Sequence, residues 1–351
     1  MPMLADLVDA VIGVDTHTDT HTAAVVSRLG SHLATIEVSA DAAGYAQLTG
    51  WAAKHAPGPR IAWAIEGCGS HGAGLARALA AAGHQVIEAD RPKKAHRRGG
   101  KSDELDAIRA ARQALAAPDP AQPRSGDTRE ALRILLATRE HATKTRTATV
   151  NTFKALILTA PEDLRAQFRG RPTAAQVRAA LALQPRPGQP VSERHLRQAL
   201  HQLARQITGL DTALKTSLTN LRSLVRGWMP ALLAEPGIGP VSAAQLLVTW
   251  SHPGRFRTEA AFAALTATAP IPASSGRTAR HRINPYGDRN ANRALHTIAV
   301  SRLRYHQPTI AYATRRTAEG KNTREIRRCI KRYLARNLYR LMEHQPTLDK
   351  P

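Results

Sequence analysis

The chain is short of cysteine, aromatic rings, acidic charge and long apolar runs. Its two cysteines, Cys68 and Cys329, stand far apart and form no CxxC pair, so neither a disulfide framework nor a zinc knuckle is indicated. Aromatic residues make up only 4% of 351, which argues against a surface that grips single strands by stacking many bases in succession. No stretch approaches the roughly 18 apolar residues of a membrane span, and residues 1–10 are acidic, unlike a secretory leader. These absences predict a soluble, cytoplasmic protein with no membrane partner.

Positive charge, by contrast, is abundant. Fifty Lys and Arg stand against 27 Asp and Glu, a net charge of +23 that points to a polyanion, nucleic acid first of all. The charge is uneven: residues 1–90 are net −5 and the remainder net +28. A carboxylate-bearing site is therefore expected early in the chain and a phosphate-gripping surface later, with double-stranded DNA as the expected partner.

Hydrophobic patterning places the elements. Residues 10–16, 22–28 and 33–39 read as a strand meander whose first turn is the polar run His17–His21. A helix over 42–56, a strand over 61–66, a helix over 73–82, a strand over 85–89 and a helix from Ser102 follow. That is the element order of an RNase H-like α/β sheet, and 1–118 is read as this domain. A Pro-rich linker then leads to long helices near 128–159 and 192–227. The second carries a leucine-rich seam from Leu196 to Val225, alternating mostly 4 and 3 apart, as in a coiled coil. Residues 119–228 are read as linker plus an antiparallel helical pair, which either dimerises or packs as an ordinary bundle. Residues 229–351 form a third, helical and basic region, with ten Lys and Arg between Arg315 and Arg340 facing only Glu319 and Glu325.

Four acids stand where such a sheet gathers chemistry. Asp15 ends the first strand, Glu66 ends the fourth, and Asp103 and Asp106 share one helix face three residues apart. Singly, Asp15 reads equally as a turn residue, and Asp103 with Glu104 as helix-start acids. Together they suit Mg²⁺ or Mn²⁺, since converging carboxylates repel unless cations neutralise them. His17, His21 and His71 border this region and are read as polar loop positions, with contact to phosphate or metal as the alternative.

Further along, Ser274, Ser275 and Gly276 lie among Arg277, Arg280, His281 and Arg282. A hydroxyl among guanidiniums can attack a phosphate, because those cations offset charge growing in the transition state. A basic loop that binds DNA without chemistry is the alternative. Pro236–Val241 resembles a helix-hairpin-helix turn, with Gly237 and Gly239 offering backbone N–H groups to phosphate, or else an interhelical turn with no ligand. Arg97, Arg98, Lys101, Arg289, Arg293, Arg327, Arg328 and Lys331 complete the expected nucleic-acid contacts.

Gly13-Val14-Asp15, Ile65-Glu66-Gly67, residues 101–107, Pro236–Pro240 and Ala269-Pro270 followed by Ser274-Ser275-Gly276 carry a family resemblance. The chain resembles the DEDD transposases of the insertion-sequence family one hundred and ten, which pair a RuvC-like domain with a coiled coil and a C-terminal transposase domain. The resemblance implies catalytic, metal-holding roles for Asp15, Glu66, Asp103 and Asp106, and a nucleophilic serine at Ser275, with Ser274 as the alternative. It also implies a covalent serine–DNA intermediate, a structured non-coding guide RNA, and a homo-oligomer, dimer or tetramer, whose protomers share sites. A prokaryotic cytoplasm with its nucleoid is the implied setting. The family's lysine before the glycine matching Gly287 is missing, its place taken by Asn284-Pro285-Tyr286. A metal nuclease of the Holliday-junction type, or an architectural DNA- or RNA-binding protein, is the competing reading.

Overall fold

Ala10–Thr16 forms strand β1, and all seven of its residues are buried. A strand can be buried throughout only if both its faces are covered, and the surrounding elements do this. β2 (Thr20–Ser27) and β3 (His32–Ser39) run antiparallel on one side, while β4 (Ile61–Glu66) and β5 (Gln85–Ala89) run parallel on the other. The sheet order is β3-β2-β1-β4-β5, the mixed α/β arrangement expected of a RuvC-like domain.

Alternation along the strands sorts the core into two layers. Val11, Ala24, Val26, Ala62 and Ala64 face α4 (Asp103–Leu115) and the short α1 (Leu4–Leu7). Ile12, Val14, Ala23, Val25, Trp63 and Ile65 face α2 (Ala42–His55) and α3 (Ala73–Ala81). Each fully buried Val or Ile contributes about 1.5–3 kcal/mol, so the sheet centre is a firm base. α2 starts where the Asp41 carboxylate accepts from the Gly44 N–H at 2.8 Å, and α4 where the Ser102 hydroxyl accepts from the Leu105 N–H at 3.2 Å.

The computed structural model describes residues 3–89, 102–118, 120–184, 187–273, 281–282 and 284–344. They divide into two units, Met1–Ser125 and Gly126–Pro351. In the second, α5 (Asp127–Leu158) and α8 (Val191–Trp228) pack antiparallel. Leu132 meets the Leu221–Val225 end, while Phe153 and Ile157 meet Leu200, Ala204 and Ile207. Between these apolar ends Arg139 donates to the Leu214 carbonyl at 2.6 Å and Arg146 pairs with Asp211. The α8 seam is buried at Leu200, Ile207, Leu221 and Val225, but only partly at Leu210, Leu214 and Leu218. Two helices that sequence patterning did not anticipate, α6 (Glu162–Ala166) and α7 (Thr173–Leu181), add Leu164 and Val177 to the Phe153 cluster.

The remaining elements are α9 (Pro230–Ala234), α10 (Pro240–Trp250), α11 (Glu259–Leu265), the two-residue strands β6 (Ile271–Pro272) and β7 (His281–Arg282), α12 (Arg289–Tyr305), α13 (Gln307–Ala318) and α14 (Thr323–His344). Trp228, Trp250, Phe262, Leu295, Ile298, Leu334 and Leu338 form their shared core. Among the described residues no helix is long and apolar enough to cross a membrane.

Candidate metal centre and nucleic-acid surfaces

Gly13 brings the two halves of the acidic site within reach. It lies on β1 beneath α4, and a β-carbon there would stand 1.9 Å from the Ala107 carbonyl oxygen. Without a side chain at this position the helix settles directly on the strand. Asp15, two residues on and on the same sheet face, is thereby set under the first turn of α4, which carries Asp103, Glu104 and Asp106.

His17 joins them. Its Nε2 lies 3.3 Å from Asp15 Oδ2 and 3.3 Å from Asp103 Oδ2. One ligand atom from each of the three lies within 4.8 Å of the others, and ligands of a common ion at about 2.0–2.6 Å stand up to roughly 5 Å apart. The donor set therefore fits a divalent cation. Burial raises the Asp15 pKa above its usual value of 3.8; the nearby charges of Asp103 and Asp106 raise it further and His17 opposes them. A cation among these groups would relieve that strain.

Asp106 and Glu66 lie outside the trio. Asp106 is ion-paired with Arg109 one turn along α4. Glu66 ends β4, and alternation from Ala62 and Ala64 puts it on the α4 face of the sheet, beside Asp15 on the neighbouring strand. The Thr16 hydroxyl, donating to the Glu66 carbonyl at 2.8 Å, ties the two strand ends together. Glu104 turns away and accepts from Thr35 at 3.0 Å. In the turn after Glu66, burial pushes the Cys68 thiol up to about 12, which keeps it protonated at neutral pH.

The two described histidines of this hairpin behave differently. His17 occupies a turn, as its polar setting suggests, yet it bridges two acids. His21 is not a loop residue: it pairs with Thr16 inside β2 and is fully buried. It stacks on Tyr45 with ring centroids 5.8 Å apart, on the sheet face opposite Asp15, and burial lowers its pKa.

In the second unit, Ser274, Ser275, Arg277 and Arg280 lie outside the described residues, as do Arg97, Arg98 and Lys101 in the first. The chain on either side of the serine segment pairs as β6 and β7, a ladder too short for patterning to reveal. A polar hub joins the end of α11 to α12 and α14. Asn292 donates to the Thr266 and Ala267 carbonyls at 2.8 and 3.1 Å and accepts from Lys331 at 2.9 Å. Gly287 passes so close to Leu265 that a β-carbon would lie 2.7 Å from its carbonyl oxygen. Asp288 caps α12 and accepts from Thr249 at 3.0 Å.

Of the other expected contacts, Arg282 and Arg289 are exposed on β7 and at the start of α12. Arg293 is exposed and lies 3.6 Å from Glu140, while Arg328 donates to the His281 carbonyl at 3.3 Å. Arg327 and Lys331 are partly buried, and burial lowers the Lys331 pKa, so part of the basic face is committed to packing. In the turn before α10, Gly237 has φ +78° and Gly239 is the N-cap. Arg302 braces this turn from α12, donating to the Pro236 carbonyl at 2.7 Å and to Glu235 at 2.8 Å.

Comparison with known families agrees with this layout. A DEDD transposase model of the IS110 group, described as a transposase, matches residues 12–160, and a model described as "Transposase IS116/IS110/IS902 family" matches residues 229–314. No curated protein matches the chain. The first match takes in Asp15, Glu66, Asp103 and Asp106, the second the 236–240 turn and the serine segment. With both parts present in this order over about two-thirds of its length, the chain belongs to the IS110 family of transposases.

Proposed function

We propose that the chain cleaves and rejoins DNA strands in insertion-sequence transposition, joining itself to DNA through Ser275 at a site served by Asp15, Glu66, Asp103 and Asp106, with His17 as an added member. The convergence of His17, Asp15 and Asp103 carries this reading, because it offers a cation site at the carboxyl end of the central strand of a RuvC-like sheet. When bound, Mg²⁺ or Mn²⁺ supplies charge neutralisation at the scissile phosphate. Asp15 and Asp103 with His17, and Glu66 and Asp106 beside them, would hold that cation. The Ser275 hydroxyl gives up its proton and forms a bond to phosphorus as the strand's own phosphorus–oxygen bond breaks, and the departing sugar oxygen gains a proton. Arg277, Arg280 and Arg282 offset the charge on the phosphate oxygens. Attack by the hydroxyl of another strand then reverses these changes, returning the serine and resealing DNA.

The bridging of several DNA ends calls for a homo-oligomer, dimer or tetramer, for which the partly buried seam at Leu210, Leu214 and Leu218 offers a surface. A structured guide RNA, following the family resemblance, would read sequence by pairing while the protein reads duplex shape.

The test is strand cleavage with element-end DNA, the copurifying RNA and Mg²⁺. The wild-type chain is expected to yield a denaturation-resistant protein–DNA adduct, Ser275→Ala none, and Ser274→Ala an undiminished yield. Cleavage by Ser275→Ala at the wild-type rate without adduct would replace this reading with a hydrolytic nuclease of the Holliday-junction kind.

A further inference from the structure

Tyr312 on α13 and Tyr333 on α14 meet edge to face, with ring centroids 5.7 Å apart and planes at 83°. Together with Ile330, Leu334, Thr309 and Asn337 they line a cavity of about 160 Å³. Most other ring pairs of this unit, such as Trp228 with Trp250 and Phe256 with Phe262, belong to the core. Tyr333 instead stays 50% exposed. Cations surround the pair: the guanidinium carbons of Arg315 and Arg316 lie 5.6 and 5.9 Å from the Tyr312 ring centre, and that of Arg336 lies 6.0 Å from the Tyr333 ring centre. Burial first, then Cys329, pushes the Tyr312 hydroxyl up to about 12, so the cavity carries no phenolate to repel an anion.

An aromatic slot inside a basic face suits a flat ring attached to a polyanion. The cavity is well below the roughly 300–1,000 Å³ of ordinary small-molecule sites. A paired duplex cannot offer such a slot the face of a base, since those faces are stacked inside it. We propose that the Tyr312–Tyr333 pocket takes one unpaired base of a DNA strand, while Arg315 and Arg316, two cations that share the single carboxylate of Glu319, hold the neighbouring phosphate; Arg336 stays paired with Glu259. Only the choice of DNA rests on the transposase reading, and the pocket does not depend on the Ser275 chemistry. A transposase must part strands in order to exchange them, and such a pocket would hold a displaced strand in place.

The experiment compares binding of a short labelled DNA single strand, the duplex of the same sequence and the matching RNA strand by full-length wild type, Tyr333→Ala and Tyr333→Phe. Tyr333→Ala is expected to weaken the DNA single strand at least about fivefold, leaving the duplex within about twofold, and Tyr333→Phe to restore it, because stacking needs the ring and not the hydroxyl. A strand carrying 5-iododeoxyuridine should photocross-link at Tyr333 or Tyr312. Equal losses on single strand and duplex, no loss on either, cross-links elsewhere, or tighter pocket-dependent binding of RNA than of DNA would each overturn the proposal. If wild type binds no DNA of either kind, the transposase reading fails instead.

Discussion

Gly13 and Ala107 touch backbone to backbone, so closely that the β-carbon of any other residue at 13 would sit 1.9 Å from the Ala107 oxygen. Gly13→Ala must therefore push α4 off the sheet. We expect a loss of about 1–3 kcal/mol in denaturant unfolding, the usual cost of overpacking a core. Because α4 carries Asp103 and Asp106, Mn²⁺ affinity should fall with it. A variant with wild-type stability and metal affinity would show that the helix does not need this seat.

His17→Ala tests the nitrogen at the centre of the trio. Imidazole suits Mn²⁺ better than Mg²⁺, so removing it should weaken Mn²⁺ binding roughly tenfold, with a smaller effect on Mg²⁺. Titration of free Mn²⁺ by electron paramagnetic resonance, with Mg²⁺ as competitor, reads both. Equal losses for the two ions would exclude His17 as a preferred nitrogen ligand.

Asp15→Asn removes a carboxylate that burial and two neighbouring acids disfavour. DNA cleavage should fall at least about a hundredfold, since charge stabilisation by a bound cation is worth several kcal/mol. The melting temperature measured without divalent ions should hold or rise. A cleavage rate near wild type would remove Asp15 from the chemistry.

The outline of this site was legible in sequence because its parts are local: apolar runs ending in Asp15 and Glu66, and a capped helix beginning at Ser102. Bridging by His17 was not, since its distance from Asp103 depends on how α4 lies over β1. His21 misled for a related reason. In a run of Thr, Asp and His it resembles a turn, and only the pairing with Thr16 shows that the strand begins early enough to bury it against Tyr45. The α6 and α7 helices, five and nine residues long, offer too few turns for periodicity to stand out.

Glu259 ties α11 to α14 by accepting from Arg332 at 2.8 Å and Arg336 at 3.1 Å, and the bond to Arg332 chiefly holds its pKa below the usual 4.5. A carboxylate lowered on folding contributes stability above its unfolded pKa, and that contribution disappears as pH falls through the folded value. Glu259→Gln should thus cost about 1 kcal/mol or less at pH 7 and low salt. The difference from wild type should shrink below pH 4.5, the usual value for glutamate, and in high salt. An unchanged difference in acid would mean that the loss is one of packing.

Gly237 has φ +78°, and an added β-carbon would lie 3.1 Å from Arg302 Cγ. Gly237→Ala should destabilise the second unit by about 1–2 kcal/mol. Duplex DNA affinity should drop without a change in sequence preference, as suits a turn that offers backbone N–H groups to phosphate. Stability loss with unaltered DNA affinity would make the turn purely architectural.

The His17–Asp15–Asp103 trio draws Asp15 from the most enclosed strand of the sheet and Asp103 from the opening residue of a separate helix. Their alignment therefore works like a bolt in its keeper: sliding α4 along its axis by a single residue, about 1.5 Å, would part Asp103 from Asp15 and His17 without breaking one strand pairing. Gly13 is the notch that fixes the bolt's position.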